Sequence, residues 1–414
     1  MVYVKSFQGI RPAKEFAKKV SALPYDVMNR YEAKEMAEGN DISILHITRA
    51  EIDFSDSVND YDPSVYEKGR DTLVSFLKKG ILIKEDKPVF YIYREIMNGK
   101  SQTGIVAAVS VDDYKNNLVL KHEFTRKEKE ADRIRHFDVC DCQTEPIFLT
   151  YAHQENIRRI VSSHVENNEP EYDFISDDSI RHTLWVINED TIIAELENHF
   201  ASLEKVYIAD GHHRTASAAA IQEIRQNQGK ITDKNDPANF VMAVLFPDDE
   251  LEIMAYNRIV KIEKDFDSDE FFRFLSKNFS VEKIEGDYLP QKKHDFGLYI
   301  NNSWYKLTSN NSLYCNEDVS ENLDAAILQN NVLEPYFRIK DPRTDKKIDF
   351  IGGIRGNKEI IRRCKEENAI GFNLFPVQIS DLMGVADAGK MMPPKSTWFE
   401  PKLRSGLFLH SFEK

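Results

Sequence analysis

Val206-Tyr207-Ile208-Ala209-Asp210-Gly211-His212-His213-Arg214-Thr215-Ala216 decides how this chain is read. Val206 to Ala209 is a short apolar, β-branched and aromatic run of the kind that forms a buried strand. Thr215 to Gln226, rich in Ala and Ile, predicts a helix. Between them stand five polar or flexible residues. A strand that turns directly into a helix leaves free backbone N–H groups at the helix start, and the helix dipole favours negative charge there. Gly211 lets the backbone approach a ligand closely. Arg214 offers a planar donor fork suited to phosphate. His212 and His213 are donors or proton carriers near neutral pH. Asp210 has three open roles: holding an imidazole tautomer, coordinating a metal, or taking a proton. Capping alone explains one such residue, not five in a row.

Outward from this stretch, helical and strand patterns mix without strict alternation. Strands are predicted at Ser43 to Ile47, Pro88 to Arg94, Thr103 to Val111, His182 to Ile187 and Phe240 to Phe246. Helices are predicted at Tyr66 to Lys79, Glu155 to Asn167 and Glu189 to Phe200. Beyond Lys283, strands near Gly297 to Ile300 and Trp304 to Leu307 precede a helix at Glu359 to Asn368. This order predicts an α+β (mixed α/β) fold.

The chain has 414 residues, enough for one large or two ordinary domains. Its 55 basic and 69 acidic residues give a net charge of -14, which disfavours the nucleic-acid backbone as a general partner. The longest apolar run, Gly104 to Val109, is far short of the ~20 residues of a membrane span. The first residues lack the apolar core of a signal peptide. Cys140, Cys142, Cys315 and Cys364 form no paired CxxC motif and read as reduced thiols. A cytoplasmic protein without a membrane partner is expected.

Other segments hold chemistry of their own. In Pro24-Tyr25-Asp26, Asp26 is either a proton acceptor or metal ligand at a cleft or the cap of a helix starting at Val27. His122-Glu123-Phe124-Thr125-Arg126 places Glu123 as a second carboxylate and His122 as a substrate contact. His136 to Cys142 sets polar side chains at alternate positions, matches no common zinc spacing and reads as ordinary packing. Lys395-Ser396-Thr397 follows Pro393-Pro394, which excludes a P-loop geometry, yet supplies one cation and two hydroxyls to a phosphate or carboxylate. Lys402 and Arg404 stand close behind.

Asp210 to Arg214 followed by Thr215-Ala216-Ser217-Ala218-Ala219 resembles the motif of the ParB/sulfiredoxin superfamily, and its DGHHR form resembles the free-serine kinases of that group. The whole chain resembles an uncharacterised bacterial family, domain of unknown function 1015. Pro24 to Val27, Leu45 to Asp53, His122 to Thr125 and Met392 to Thr397 carry that likeness. The family pattern has His before Arg258, where this chain has Asn257, so no catalytic role passes to that position.

The resemblance implies a ParB/sulfiredoxin-like core at about 1–50 and 200–260. A large α/β region (about 51–199) is inserted in it, and an α+β region at 283–414 completes the site. It also implies a small-molecule kinase. ATP or ADP would lie on Gly211, His212, His213, Arg214 and Thr215, with Mg²⁺ at Asp210 and free L-serine as acceptor. Asp210, His212, His213, Asp26 and Glu123 would serve the chemistry, and His122, Lys395, Ser396 and Thr397 the acceptor. A homodimer fits this picture. Two other functions are consistent with the same loop: a phosphoserine phosphatase, and a non-catalytic nucleotide-binding regulator. Sulfiredoxin-type reduction is excluded by the absence of a Cys in the loop.

Overall fold

The Val206–Asp210 strand lies near one edge of a nine-stranded mixed sheet in the computed structural model, which describes residues 1–314 and 317–413. The expectation for Cys315 falls outside those residues. Along the sheet the order is Val119–Leu120, Val206–Asp210, Ile147–Tyr151, Phe240–Pro247, Lys100–Ser110, Phe90–Met97, Arg181–Ile187 and Tyr172–Ile175, with Val4–Lys5 added against Lys100–Ser110. Two neighbouring pairs are parallel, Val206–Asp210 with Val119–Leu120 and Phe240–Pro247 with Ile147–Tyr151; the remaining pairings are antiparallel. With helices interspersed, this is an α+β fold.

Buried side chains explain the sheet's position. Ile147, Leu149, Ile208, Ala243 and Leu245 pack against Ile157, Leu196 and Phe200 of the helices Glu155–Asn167 and Asp190–Ala201. Each fully buried Leu, Ile or Phe contributes about 1.5–3 kcal/mol. A second cluster, Phe137, Ile221, Ala238 and Phe412, joins the helices Lys127–Cys140 and His212–Asn227. The latter helix thus has its apolar face held while its N-terminus meets the strand end.

The chain divides into two compact units, Met1–Leu251 with Pro401–Lys414, and Glu252–Glu400. The boundary expected at residue 282 lies inside the second unit. Tyr256–Lys261 is drawn there by antiparallel pairing with Ile348–Gly352 and Ala369–Leu374. Residues 51–199, expected as an insertion, supply six of the nine strands of the first unit's sheet. The final segment returns to the first unit. Ala22 and Ser405 exchange both backbone hydrogen bonds (3.2 and 2.9 Å), and so do Ile10 and Leu409 (2.9 and 2.7 Å).

Most predicted elements are present, with two corrections. Ser43 to Ile47 is not a strand; Leu45–Thr48 is a helical turn, with the Thr48 N–H on the Ile44 carbonyl at 2.9 Å. Ile44, Leu45 and Ile47 are all buried, and so short a run, mostly apolar, has no period that separates strand from helix. The helix expected from Thr215 starts at His212, because Gly211 completes the turn immediately after the strand. Among the described residues no helix is long and apolar enough to cross a membrane. Cys140, Cys142 and Cys364 are free and buried.

Candidate functional site

The turn is built by two backbone irregularities. Tyr207 and Ile208 pair with Thr150 and Leu149, but the next partner of Phe148 is Asp210, so Ala209 is an extra residue in its strand. Such a bulge re-aims the side chain that follows it. Gly211 then takes φ +96°, a left-handed conformation, and caps the helix His212–Asn227. A Cβ at Gly211 would also meet Ile147 Cβ at 3.1 Å. Gly211→Ala is therefore expected to cost about 1–2 kcal/mol from backbone strain. It should also displace the loop; chemical denaturation checks the stability loss, and an unchanged midpoint would refute it.

Asp210 is held from two sides. Its Oδ1 accepts the Gly211 N–H at 2.8 Å, and its Oδ2 lies 2.9 Å from Lys402 Nζ. Burial pushes the carboxyl up, but the charges of Lys402 and Arg214 more than offset that and hold it well below its ordinary value. Lys402 comes from the returning C-terminal segment, 192 residues away in sequence. No spacing signal could have paired it with Asp210.

Arg214 corrects an expectation. It is not an open phosphate fork: the side chain is buried, and Nη1 donates to the Pro146 carbonyl. Burial lowers its pKa, and Asp26, Asp210 and Glu145 more than restore it. Glu145 is itself buried and accepts from the Tyr25 N–H at 3.0 Å and the Ser405 hydroxyl at 2.6 Å. Arg214 is thus the counterion of a carboxylate cluster. Arg214→Met should destabilise the protein by about 3–5 kcal/mol, since uncompensated buried charges remain. That corresponds to a fall in Tm on the order of 10 °C, readable by calorimetry; an unshifted Tm would show that the cluster is solvated.

Thr215 is also not a ligand contact. Its side chain is fully buried and its hydroxyl donates to the Gly211 carbonyl at 3.1 Å, beside the Thr215 N–H on the same oxygen at 2.9 Å. The residue closes the first turn of the helix instead.

The two loop histidines differ. His212 is buried, and its ring stands edge-on to His122 at 4.5 Å, with the His122 N–H directed at its Nε2 at 3.4 Å. Burial, then the neighbouring His122, holds His212 far below its usual pKa. His122, expected to touch substrate, is buried behind it and pushed down to about 4 by burial. His213 is only half-buried. Its Nε2 accepts the Arg126 N–H at 3.0 Å, so Nδ1 carries the proton of a neutral ring. Burial lowers its pKa, and Asp26 opposes that.

Asp26 is exposed in the helical turn Tyr25–Val27, within electrostatic reach of His213 and Arg214. It does not cap a helix. Glu123 is half-buried on the link that precedes the helix Lys127–Cys140. Lys395, Ser396 and Thr397 belong to the second unit. There Lys395 Nζ lies 5.4 Å from the centre of the Tyr256 ring, and Ser396 Oγ donates to the Pro393 carbonyl at 2.6 Å. Asn257, also in that unit, accepts the Leu374 N–H at 3.1 Å. Among the described residues no group of three His, Cys, Asp or Glu side chains is placed to hold a metal ion. The positive charge facing Asp210 is Lys402.

Sequence reasoning named Asp26 and the loop but missed Glu145 and Lys402 as their partners. Glu145 is a lone acidic residue before Pro146, with nothing local to mark it.

None of the curated proteins compared matches this sequence. Among solved structures, the chain is similar to C-terminally truncated SbnI from Staphylococcus aureus, with 11% identity over 75% of this chain and 89% of that one, at a TM-score of 0.39. It is similar to a mutant free serine kinase in complex with AMP, with 13% identity, 73% and 92% coverage and a TM-score of 0.36. A conserved hypothetical protein from Pyrococcus furiosus shares 14% identity, with 73% and 95% coverage and a TM-score of 0.34. The family described as "Protein of unknown function (DUF1015)" matches residues 4–326, well over half of the chain, and the protein belongs to that family.

Proposed function

We propose that this protein transfers a phosphoryl group from a nucleoside polyphosphate to a small alcohol, with free L-serine the leading acceptor. One observation carries the reading: a left-handed glycine joins a bulged strand to a 16-residue helix, with Asp210, Lys402 and His213 gathered at the junction. The N–H groups at the helix start suit phosphate oxygens. Lys402 brings a cation, and neutral His213 brings the Nδ1–H donor. ATP or ADP fits this chemistry.

The donor nucleotide supplies the phosphoryl group, and this chain's residues position it. The acceptor hydroxyl oxygen forms the new bond to phosphorus while the bond from phosphorus to the nucleotide's bridging oxygen breaks. The hydroxyl proton passes to Asp26, the exposed carboxylate beside His213; Glu123 is the alternative acceptor. Asp210 keeps Lys402 and the turn in place. It is the one carboxylate of the turn able to meet a phosphate-held Mg²⁺, an ion that characteristically binds through one or two carboxylates plus substrate phosphates. The charge of -14 favours this small-molecule reading over a DNA-binding regulator. Free buried thiols fit a reducing compartment such as the cytoplasm.

The test is direct. The protein is incubated with L-serine, Mg²⁺ and ATP or ADP, and O-phosphoserine is sought by ³¹P NMR. Product that disappears in Lys402→Met and Asp26→Asn variants whose melting temperature shows them folded supports the proposal. No product with either nucleotide overturns it.

A further inference from the structure

The first unit contains a cavity of about 310 Å³ whose lining includes Tyr25 and none of the residues Asp210 to Arg214. Tyr25 is pinned there. Its N–H is held by Glu145 and its carbonyl by Arg49 Nη1 at 2.9 Å. Its ring lies 3.8 Å from the Arg133 guanidinium, a cation–π contact that fixes the guanidinium plane. Asp26 is the next residue, within electrostatic reach of His213 and Arg214 of the loop.

Three ion pairs reach the cavity wall: Arg49 with Glu51 at 2.5 Å, Arg133 with Asp132 at 2.8 Å, and Arg30 with Asp60 at 3.0 Å. Both signs of charge therefore face the same space. Three buried polar atoms on lining residues lack a hydrogen-bond partner, Arg49 Nε, Arg133 Nη1 and His136 Nδ1, and of these Arg49 Nε is ion-paired with Glu51 at 2.5 Å. The Arg133 atom has only Glu145 at 3.9 Å, beyond hydrogen-bond reach. His136 Nε2 lies 3.0 Å from the Ile47 carbonyl, an acceptor, so the proton sits on Nε2 and Nδ1 presents a bare lone pair. Among the lining residues Arg133 thus holds an unused, positively charged donor and His136 an unused, neutral acceptor. Unpaired buried groups of this kind carry a desolvation cost that a matching ligand relieves.

We propose that this cavity is the acceptor pocket, and that it takes a small zwitterion: a carboxylate on Arg133 and an ammonium or hydroxyl hydrogen on His136 Nδ1. This rests on the phosphotransferase reading for its role but not for its binding chemistry. Tyr25 would form one side of the acceptor pocket, and Asp26 would lie where the acceptor hydroxyl meets the loop. A ligand lacking either charge meets an unpaired group of the opposite kind and binds less well.

Isothermal titration of the full chain tests this with L-serine, ethanolamine, which lacks the carboxylate, and 3-hydroxypropionate, which lacks the ammonium. ADP affinity is measured in parallel. L-Serine is expected to bind about tenfold or more tightly than either analogue, the loss that follows from one unmade charged hydrogen bond. Arg133→Gln should weaken L-serine by a similar factor and leave ADP binding unchanged. If Arg133→Gln does not fold, His136→Leu removes the lone pair without removing a charge and should weaken L-serine alone. Wild-type affinity for L-serine in the folded variants, or equal affinity for all three compounds, overturns the pocket. ADP binding without any binding of L-serine also overturns it, while leaving the loop reading intact. L-Serine binding that the variants weaken, with no ADP binding, supports the pocket and overturns the phosphotransferase reading instead.

Discussion

Between about pH 6.5 and pH 4 the protein is expected to lose several kcal/mol of stability, more steeply than its carboxylates alone would cause. Five histidines are the reason. His122, His136, His182, His212 and His410 are each no more than 6% exposed. Burial pushes His122, His136 and His410 down to about 4 and His182 to about 3, and holds His212 far below its usual value. In the unfolded chain an imidazole titrates near 6.5. A group whose folded pKa is lower takes up its proton in the unfolded chain first. Its stabilising contribution is complete above about pH 6.5 and is lost as pH falls toward the folded value, at about 1.4 kcal/mol per pH unit for each group. His46 works the other way, since its contact with Asp53 raises its pKa, but it is one group against these five and His213, which burial also lowers. Calorimetry from pH 8 to pH 5 reads the effect as a flat Tm that breaks downward below neutrality. His410→Gln should reduce the slope by about one proton, because this ring lies in the C-terminal segment, where it bonds the Pro237 carbonyl at 2.9 Å, away from the loop. A Tm that stays level to pH 5 would show that these rings protonate in the folded state.

Asp26→Asn is expected to slow phosphoryl transfer about 10²–10⁴-fold, the usual contribution of a positioned proton acceptor. The change is nearly isosteric and the side chain is exposed, so folding should be little affected. Nucleotide affinity should be retained, because Asp26 faces the loop through His213 and Arg214 and repels phosphate if it does anything to it. The expected signature is a loss in kcat with nucleotide binding intact, read by coupled assay and titration. Glu123→Gln is the comparison. If Asp26→Asn keeps the full rate while Glu123→Gln loses it, Glu123 takes the proton.

The gap between local and tertiary information is visible at single residues. Gly211 could be read from the chain because a strand–turn–helix junction needs a residue that tolerates positive φ, and the structure gives it +96°. Arg214 could be read as a charge near phosphate, but not as a buried one. A charge's exposure depends on what packs over it, here Pro146, Glu145 and Asp26 from distant segments. The same holds for Thr215, whose hydroxyl turns back onto its own helix, and for His122, which packs edge-on against His212 across 90 residues. The Ser43 to Ile47 run misleads for another reason: five residues with Ile44, Leu45 and Ile47 all buried are too short to show a period.

By itself the sequence determined the mixed α+β class, most of the strands and helices around the core, and the strand–turn–helix loop at Asp210 to Arg214. These follow from local forces, since side-chain periodicity, helix propensity and the backbone freedom of glycine act within a few residues. Tertiary structure alone decided which carboxylate meets which cation. Lys402 reaches Asp210 only because the last segment returns to the first unit and pairs Ser405 with Ala22 and Leu409 with Ile10. Charge pairing acts through space, and the chain brings those charges together only once it has folded.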